Sequence, residues 1–371
     1  MGQKFIQRDL KTNQFIMPIV LGAILFFMGS IFLKTVGYDA IFNNSFFQFF
    51  ADSNTYHELY ETKSYDVASL IGVQNNLVGP LLILSIAQGN LYAVLFQNII
   101  IFIASIILIC KSYSINTSKT AILILLLSPM MVSSLLSVNK EIISFLVISI
   151  IIYSLRFQKV QYFAIALIIS LMVRWQMSAF CILLAIAVLL KNYRRVYFTL
   201  LMLILLSLIF YYSQSFLSPV LDRVDFYNLQ YTDGSGVFEA LGELQKNGFY
   251  FIVSALKAAH LLFSMGTKLS QIINPYNFYN DTIQGLHSLS NIFLFFLLLV
   301  RRKIDINNDL IFISIIYCAV FCLTPVYAPR YLFPVTILWI LALIVDKSKA
   351  DILFNGQSVV TGRCRLPASA Q

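Results

Sequence analysis

Apolar stretches recur along almost the whole chain, separated by short turns rich in Lys and Arg, and this alternation decides what the chain can fold into. A helix needs about 20 apolar residues to cross the hydrocarbon core of a bilayer. Stretches of that length or somewhat shorter lie at 15–34, 88–110, 120–137, 141–155, 160–173, 176–190, 196–212, 286–300, 310–325 and 331–346. Only 12% of the 371 residues are charged and 59% are hydrophobic, whereas a soluble domain carries about 25% charged residues. Too little polar surface remains to cover a water-soluble particle. A soluble enzyme with one anchor is excluded as well, because the apolar runs do not stop. The fold class expected is all-α, a polytopic transmembrane helix bundle of about ten spans forming one domain over 1–346. The segment 347–371 has no apolar span and reads as a disordered cytoplasmic tail.

The net charge of +9 sits in short loops beside apolar runs, so it reports topology before anything else. No nucleic-acid-binding pattern accompanies it, and no nucleic-acid partner is expected. Lys4, Arg8 and Lys11 place the N-terminus in the cytoplasm. The run 15–33 is long enough to span and no small-residue cleavage site follows it, so it reads as a span rather than a signal peptide. Two weaker apolar stretches, 67–87 and 249–265, settle the remainder. If 67–87 crossed fully, Lys111 and Lys119 would lie outside and every later basic cluster would be misplaced or need an extra crossing. As a re-entrant or juxtamembrane segment it leaves them all inside. Gln74, Asn75, Asn76, Gly79 and Pro80 also make it a poor lipid-facing helix. The same argument puts 249–265 on or in the outer surface. Both termini are then cytoplasmic, with two long outer loops at 35–87 and 213–285.

A few charges remain on the outer side, where charge near the membrane usually marks function. In the first loop Asp52, Tyr56 and Tyr60 are spaced i, i+4, i+8 and share a helix face. Asp52 or His57 can take a proton from a sugar hydroxyl, and Glu58 stands beside them; the plainer reading is a helix start with Asp52 or Ser53 as N-cap. Lys140 and Glu141 lie in a tight turn, where they either cap helices and pair with each other or Lys140 holds a phosphate. Arg174 precedes Trp175; it is either an interfacial snorkelling arginine or a phosphate ligand. Pro329 and Pro334 flank Arg330 and Tyr331, and broken backbone at membrane depth is tolerated where it lines a cavity.

The second loop adds Asp222, Arg223, Asp225, Asp233, Glu239, Glu243, His260, Lys268 and Asp281, with tyrosines able to stack on sugars. Most of these read as solvated loop residues, and His260 as a satisfied buried histidine. The cysteines have no metal or CxxC spacing. No Walker A, GxGxxG, HExxH or DxD sequence occurs, which disfavours a nucleotide-dependent cytoplasmic enzyme. Outer cations with no obligatory carboxylate partners suit an anionic group at the membrane surface. A polyprenyl diphosphate fits, with its tail in lipid, its diphosphate at the interface and its sugar outside.

With these residues in order, the chain resembles bacterial polysaccharide polymerases of the Wzy/EpsG-like type, similar in layout to GT-C glycosyltransferases. The resemblance rests on Asp52-x-x-x-Tyr56-x-x-x-Tyr60, then Asn139-Lys140-Glu141, then Arg174-Trp175-Gln176-Met177-Ser178, then Ala328-Pro329-Arg330-Tyr331. It covers about 45–345. Lys140 stands where the group often has Arg, and Trp175 where it often has His. The resemblance implies transfer of a glycan from polyprenyl diphosphate to the non-reducing end of another lipid-linked repeat, on the outer face of a bacterial cytoplasmic membrane. Asp52 or His57 would activate the acceptor hydroxyl, with Tyr56, Lys140, Arg174, Arg330 and Tyr331 binding substrate. No metal or other cofactor is expected. A flippase and a chain-length regulator are expected partners, alongside membrane lipid and the lipid-linked glycan. Two alternatives stand: a GT-C transferase using a polyprenyl-monophosphate sugar, and a lipid-linked glycan transporter or flippase.

Overall fold

The polar residues between the apolar runs set where helices start and stop. Asn90 caps one helix by accepting from the backbone N–H of Tyr92 and Ala93 at 2.9 and 3.1 Å, and Ser114 ends it in the left-handed region at φ +54°. Asn116 and Asn308 cap two others in the same way, through Lys119 N and Leu310 N. The computed structural model describes residues 2–37, 46–47, 51–63, 70, 73, 75–190, 194–231, 236–264, 269–324 and 328–346. Among them every regular element is helical. The expected tail at 347–371 lies outside the described residues, as do Asp233 and Lys268 of the second loop.

In chain order the helices are α1 (Gly2–Val36), α2 (Ala51–Lys63), α3 (Asn75–Ala87), α4 (Leu91–Tyr113), α5 (Thr117–Leu127), α6 (Pro129–Leu136), α7 (Glu141–Phe157), α8 (Val160–Leu171), α9 (Trp175–Leu189) and α10 (Arg195–Tyr231). They continue with α11 (Gly236–Leu244), a wide π turn (Gln245–Phe249), α12 (Tyr250–Phe263) and α13 (Leu269–Ile273). A second π turn (Phe278–Ile283) runs into α14 (Gln284–Val300), followed by α15 (Asp309–Phe321), a 3₁₀ turn (Pro329–Leu332) and α16 (Phe333–Ile344).

Among the described residues four helical segments are long and apolar enough to cross a membrane: Ile16–Val36, Leu91–Tyr113, Arg195–Gln214 and Phe278–Val300. A fifth candidate is the pair α5 and α6, but these meet at 95°. The run 120–137 is therefore not one straight span. Ser128, held out of the α region by the proline that follows it, ends α5, and Pro129 opens α6. Shorter apolar helices accompany them, among them Val160–Leu171, Trp175–Leu189 and Asp309–Phe321.

α7, α15 and α16 form the centre, burying Phe145, Ile148, Ile151, Ile316, Val320, Ile337 and Leu341. α4 packs along α7, α15 against α16, and α1 against α4. The peripheral helices α1, α10 and α14 turn large apolar side chains outward, including Phe27, Ile31, Leu205, Tyr212 and Phe296. In water such a surface would aggregate; in hydrocarbon it costs nothing. Polar side chains inside the bundle tie helices together. Asn98 of α4 donates to the carbonyls of Leu135 and Ser137 at 3.1 and 3.0 Å, each such bond worth about 0.6 kcal/mol. The amphipathic helix α12, in the second weak stretch, buries Tyr250, Val253 and Lys257 and packs on α10, α14 and α15.

Candidate functional site

Four helix starts converge on one polar cluster. α2 opens with Asp52 in its first turn. α7 opens with Glu141, preceded by Lys140 at the cap position; α9 opens after Arg174; and the 3₁₀ turn leading into α16 carries Arg330 and Tyr331. Local hydrogen bonds fix these ends. Asn139 accepts from Ile142 N at 3.0 Å and donates to the carbonyls of Ser134 and Ser137, both at 2.8 Å, so the turn before α7 is fully committed. Gly79 of α3 donates its N–H to Met172 O at 2.9 Å, two residues before Arg174. A Cβ at Gly79 would come within 2.8 Å of that same oxygen, so the approach needs glycine.

Arg330 Nη2 donates to Asp52 Oδ2 at 2.8 Å, and its Nε lies 4.0 Å from Glu141 Oε1. Arg174 Nη2 donates to the same Glu141 oxygen at 2.8 Å. The Arg174 guanidinium stacks 4.0 Å over the Tyr331 ring, and Lys140 Nζ sits 5.6 Å over the ring of Tyr56. Glu141 and Arg174 are buried, with side chains 4% and 7% exposed, while Asp52 is 40% exposed and opens the cluster to solvent. Among the described residues, three cations thus face two carboxylates, and the helix N-termini add further positive potential.

The titrations follow from this geometry. Burial pushes the Asp52 carboxyl up, but Arg330, then Lys140 and Arg174, outweigh it and hold the group below its ordinary value. Burial lowers the Lys140 pKa to about 8, helped by the like charge of Arg174 and opposed by Asp52 and Glu141. Burial works against the charged form of Arg174, yet Glu141 overrides it and its pKa is raised. Burial also raises the Tyr56 phenol, with Asp52 and Glu141 adding to it. His57 is buried, and burial lowers its pKa to about 4, so it is neutral at physiological pH.

Asp52, Tyr56, Lys140, Arg174, Arg330 and Tyr331, named from the sequence, therefore meet in one place. His57 follows Tyr56 in α2 and is buried, and burial alone accounts for its lowered pKa. Two expectations need correction. The arginines are not without carboxylate partners, because a guanidinium this far from water must be paired. Glu141 does not bond Lys140 but bridges Arg174 and Arg330. Glu141 is the residue that sequence reasoning undervalued; its signal was an acid opening an otherwise apolar helix. Tyr279, whose hydroxyl reaches Arg330, and Tyr317, which donates to Tyr331 O at 3.1 Å, gave no signal. Among the described residues no group of three His, Cys, Asp or Glu side chains gathers to hold a metal ion. Set against known protein families, characterised proteins and solved structures, the chain matches none.

Proposed function

We propose that this chain is a Wzy/EpsG-like polysaccharide polymerase, which moves a glycan from polyprenyl diphosphate to the non-reducing end of another lipid-linked repeat unit. The observation that carries this reading is the meeting of Lys140, Arg174 and Arg330 with Asp52 at four helix N-termini. Such an arrangement suits an anion held at the edge of a bilayer. The donor diphosphate competes with Asp52 for Arg330 and with Glu141 for Arg174. Freed from Arg330, Asp52 loses the largest of the effects that oppose its burial, so its pKa rises and it becomes a stronger base. It takes the proton of the acceptor hydroxyl as the acceptor oxygen bonds the anomeric carbon. The bond from that carbon to the diphosphate breaks, and its electron pair leaves on a phosphate oxygen that the cations stabilise. His57, neutral at physiological pH, is the second candidate base. Tyr331 and Tyr56 keep the cations above them aimed.

The ten-span, GT-C-like layout belongs to this reading. So do the outer-face location in a bacterial cytoplasmic membrane, both termini in the cytoplasm, and a flippase and chain-length regulator as partners. The test is a gel of surface polysaccharide from cells carrying Arg330→Ala. Single-repeat material from protein that still inserts is the expected result, and chains of normal length overturn the proposal. Loss of one side-branch sugar at unchanged chain length would point to a single-sugar GT-C transferase instead.

A further inference from the structure

At the end of the bundle opposite Asp52, two buried donors lie within electrostatic range of each other, away from the transfer chemistry. α7 begins with Glu141 in the charged cluster and carries Arg156 in its last turn, about 22 Å away along the helix at 1.5 Å per residue. Tyr113 closes α4, which packs along α7. The Tyr113 side chain is fully buried, and the Arg156 guanidinium is close enough to act electrostatically on its phenol. The Tyr113 hydroxyl and Arg156 Nη1 are both shielded from solvent, and among the described residues neither meets a hydrogen-bond partner. Leaving such a group unsatisfied costs stability, so two together call for an explanation. Both are donors. A phosphate, with several acceptor oxygens, can satisfy both, and beside a guanidinium an anionic oxygen does so best.

The surroundings favour an anion. Lys111 Nζ lies 5.8 Å from the Tyr153 ring centre and Lys159 Nζ 5.7 Å from that of Tyr162. The two rings meet edge to face at 5.1 Å. Among the described residues Lys111, Arg156 and Lys159 form no ion pair with a carboxylate, while Asp309, the acid in electrostatic range of Tyr113, is already held by Arg195. The starts of α5 and α8 lie a few residues beyond Tyr113 and Arg156, and their N-terminal dipoles offset the C-terminal ends of α4 and α7. Topology asks only that basic side chains lie near this end of the bundle. It does not ask for a guanidinium nitrogen buried beside a buried phenol.

We propose that the paired ends of α4 and α7 bind the phosphate of an anionic phospholipid headgroup. Arg156 and Tyr113 bond its oxygens, and Lys111 and Lys159 flank it from above the tyrosine rings. This is how basic pockets between membrane helices take lipid headgroups. The site is separate from the Asp52 cluster, and its test does not depend on glycan transfer.

The full chain is placed in nanodiscs of phosphatidylcholine alone, of phosphatidylcholine with phosphatidylglycerol, and of phosphatidylcholine with inorganic phosphate in the buffer. The thermal unfolding midpoint is read in each. Phosphatidylglycerol is expected to raise the midpoint, and inorganic phosphate to raise it less. Arg156→Gln abolishes the phosphatidylglycerol shift, and Tyr113→Phe, which keeps the ring, reduces it. Arg301→Gln removes the same charge at the same end of the bundle and keeps the shift. No shift in the wild type, or an equal loss in Arg301→Gln, overturns the site. An inorganic phosphate shift as large as that of phosphatidylglycerol, with nothing added by the lipid, overturns the lipid assignment in favour of soluble phosphate. If Arg156→Gln does not fold, Tyr113→Phe decides, and a full phosphatidylglycerol shift in that variant counts against the site.

Discussion

Arg330 and Asp52 stand 278 positions apart in the sequence and share a 2.8 Å ion pair. The pair joins the first turn of α2 to the turn before α16 and so ties an early part of the chain to a late one at the cluster. Asp52 is partly exposed, so the pair's own contribution to stability is modest, about 1 kcal/mol. Its weight is in function. Asp52→Asn and Arg330→Lys should each lower chain formation in membrane vesicles by roughly 100-fold, the usual size of a lost acid–base or charge-stabilising group. The double variant should lose far less than the product of the two, because the residues act as a unit. Independent, multiplying losses would separate Asp52 from the arginine it contacts.

Lys140 gives the activity an alkaline limb. With its pKa lowered to about 8 by burial and Arg174, the charged, anion-binding form is present below that pH and lost as pH rises through it. A rate–pH profile should fall with a midpoint near that value. Lys140→Arg keeps a charge that does not titrate in this range and should remove the limb. A limb that persists in Lys140→Arg belongs to another group. The stability effect has the opposite sign. Between about 8 and the ordinary value of 10.5 the unfolded chain binds more protons at this lysine than the folded chain does, so stability from Lys140 rises with pH across that window.

Glu141 holds the buried Arg174 guanidinium and the partly buried Arg330 one in register, at 2.8 and 4.0 Å. Glu141→Gln leaves Arg174 buried without its counter-charge and should destabilise the protein by about 3 kcal/mol, read by thermal unfolding in detergent. Glu141→Leu combined with Arg174→Met removes both charges from the same buried space. That double variant should recover most of the lost stability and still form no polymer. Wild-type stability in Glu141→Gln would mean that the bridge is not what orders the turn.

The parts of this site that were legible in the sequence were those whose signal is local. The i, i+4 spacing of Asp52 and Tyr56 puts them on one helix face wherever the helix goes. The prolines around Arg330 announce a broken helix whatever lies against it. The partner of Glu141 was not legible, because Lys140 stands next to it and consecutive helix residues point apart; Arg174 arrives from another helix. The bend between α5 and α6 was hidden because an averaged apolar run takes no account of a single Ser-Pro step. Tyr279 and Tyr317 were hidden because tyrosine is common in apolar helices, and only packing separates one that reaches the site from one that faces lipid. The helices themselves were easy to read from apolar length, but the tertiary pairing that turns helix ends into a cluster left no periodic trace.

Lys257 links this cluster to the amphipathic helix beside it. Its side chain is fully buried, and Nζ donates to Gln245 Oε1 at 2.6 Å and to Thr324 O at 3.0 Å. Gln245 donates in turn to Leu323 O at 2.8 Å, and the Tyr250 hydroxyl donates to Ala319 O. The π turn and α12 thereby grip the end of α15 and the carbonyls just past it, where a cation is favoured by the helix dipole. α12 also packs against the Pro329–Leu332 turn that carries Arg330. Lys257→Met keeps the length of the side chain and removes the donor. It leaves two buried oxygens without that bond, at a cost of about 2 kcal/mol. The expected kinetic effect is a rise of several-fold in KM for the lipid-linked donor, because the turn bearing Arg330 is no longer held in place. The alkaline limb set by Lys140 should stay near pH 8, since that residue is untouched. A variant that merely unfolds more readily would instead lower the active fraction, and with it kcat, at an unchanged KM. That outcome would reduce Lys257 to a core residue with no hold on the site.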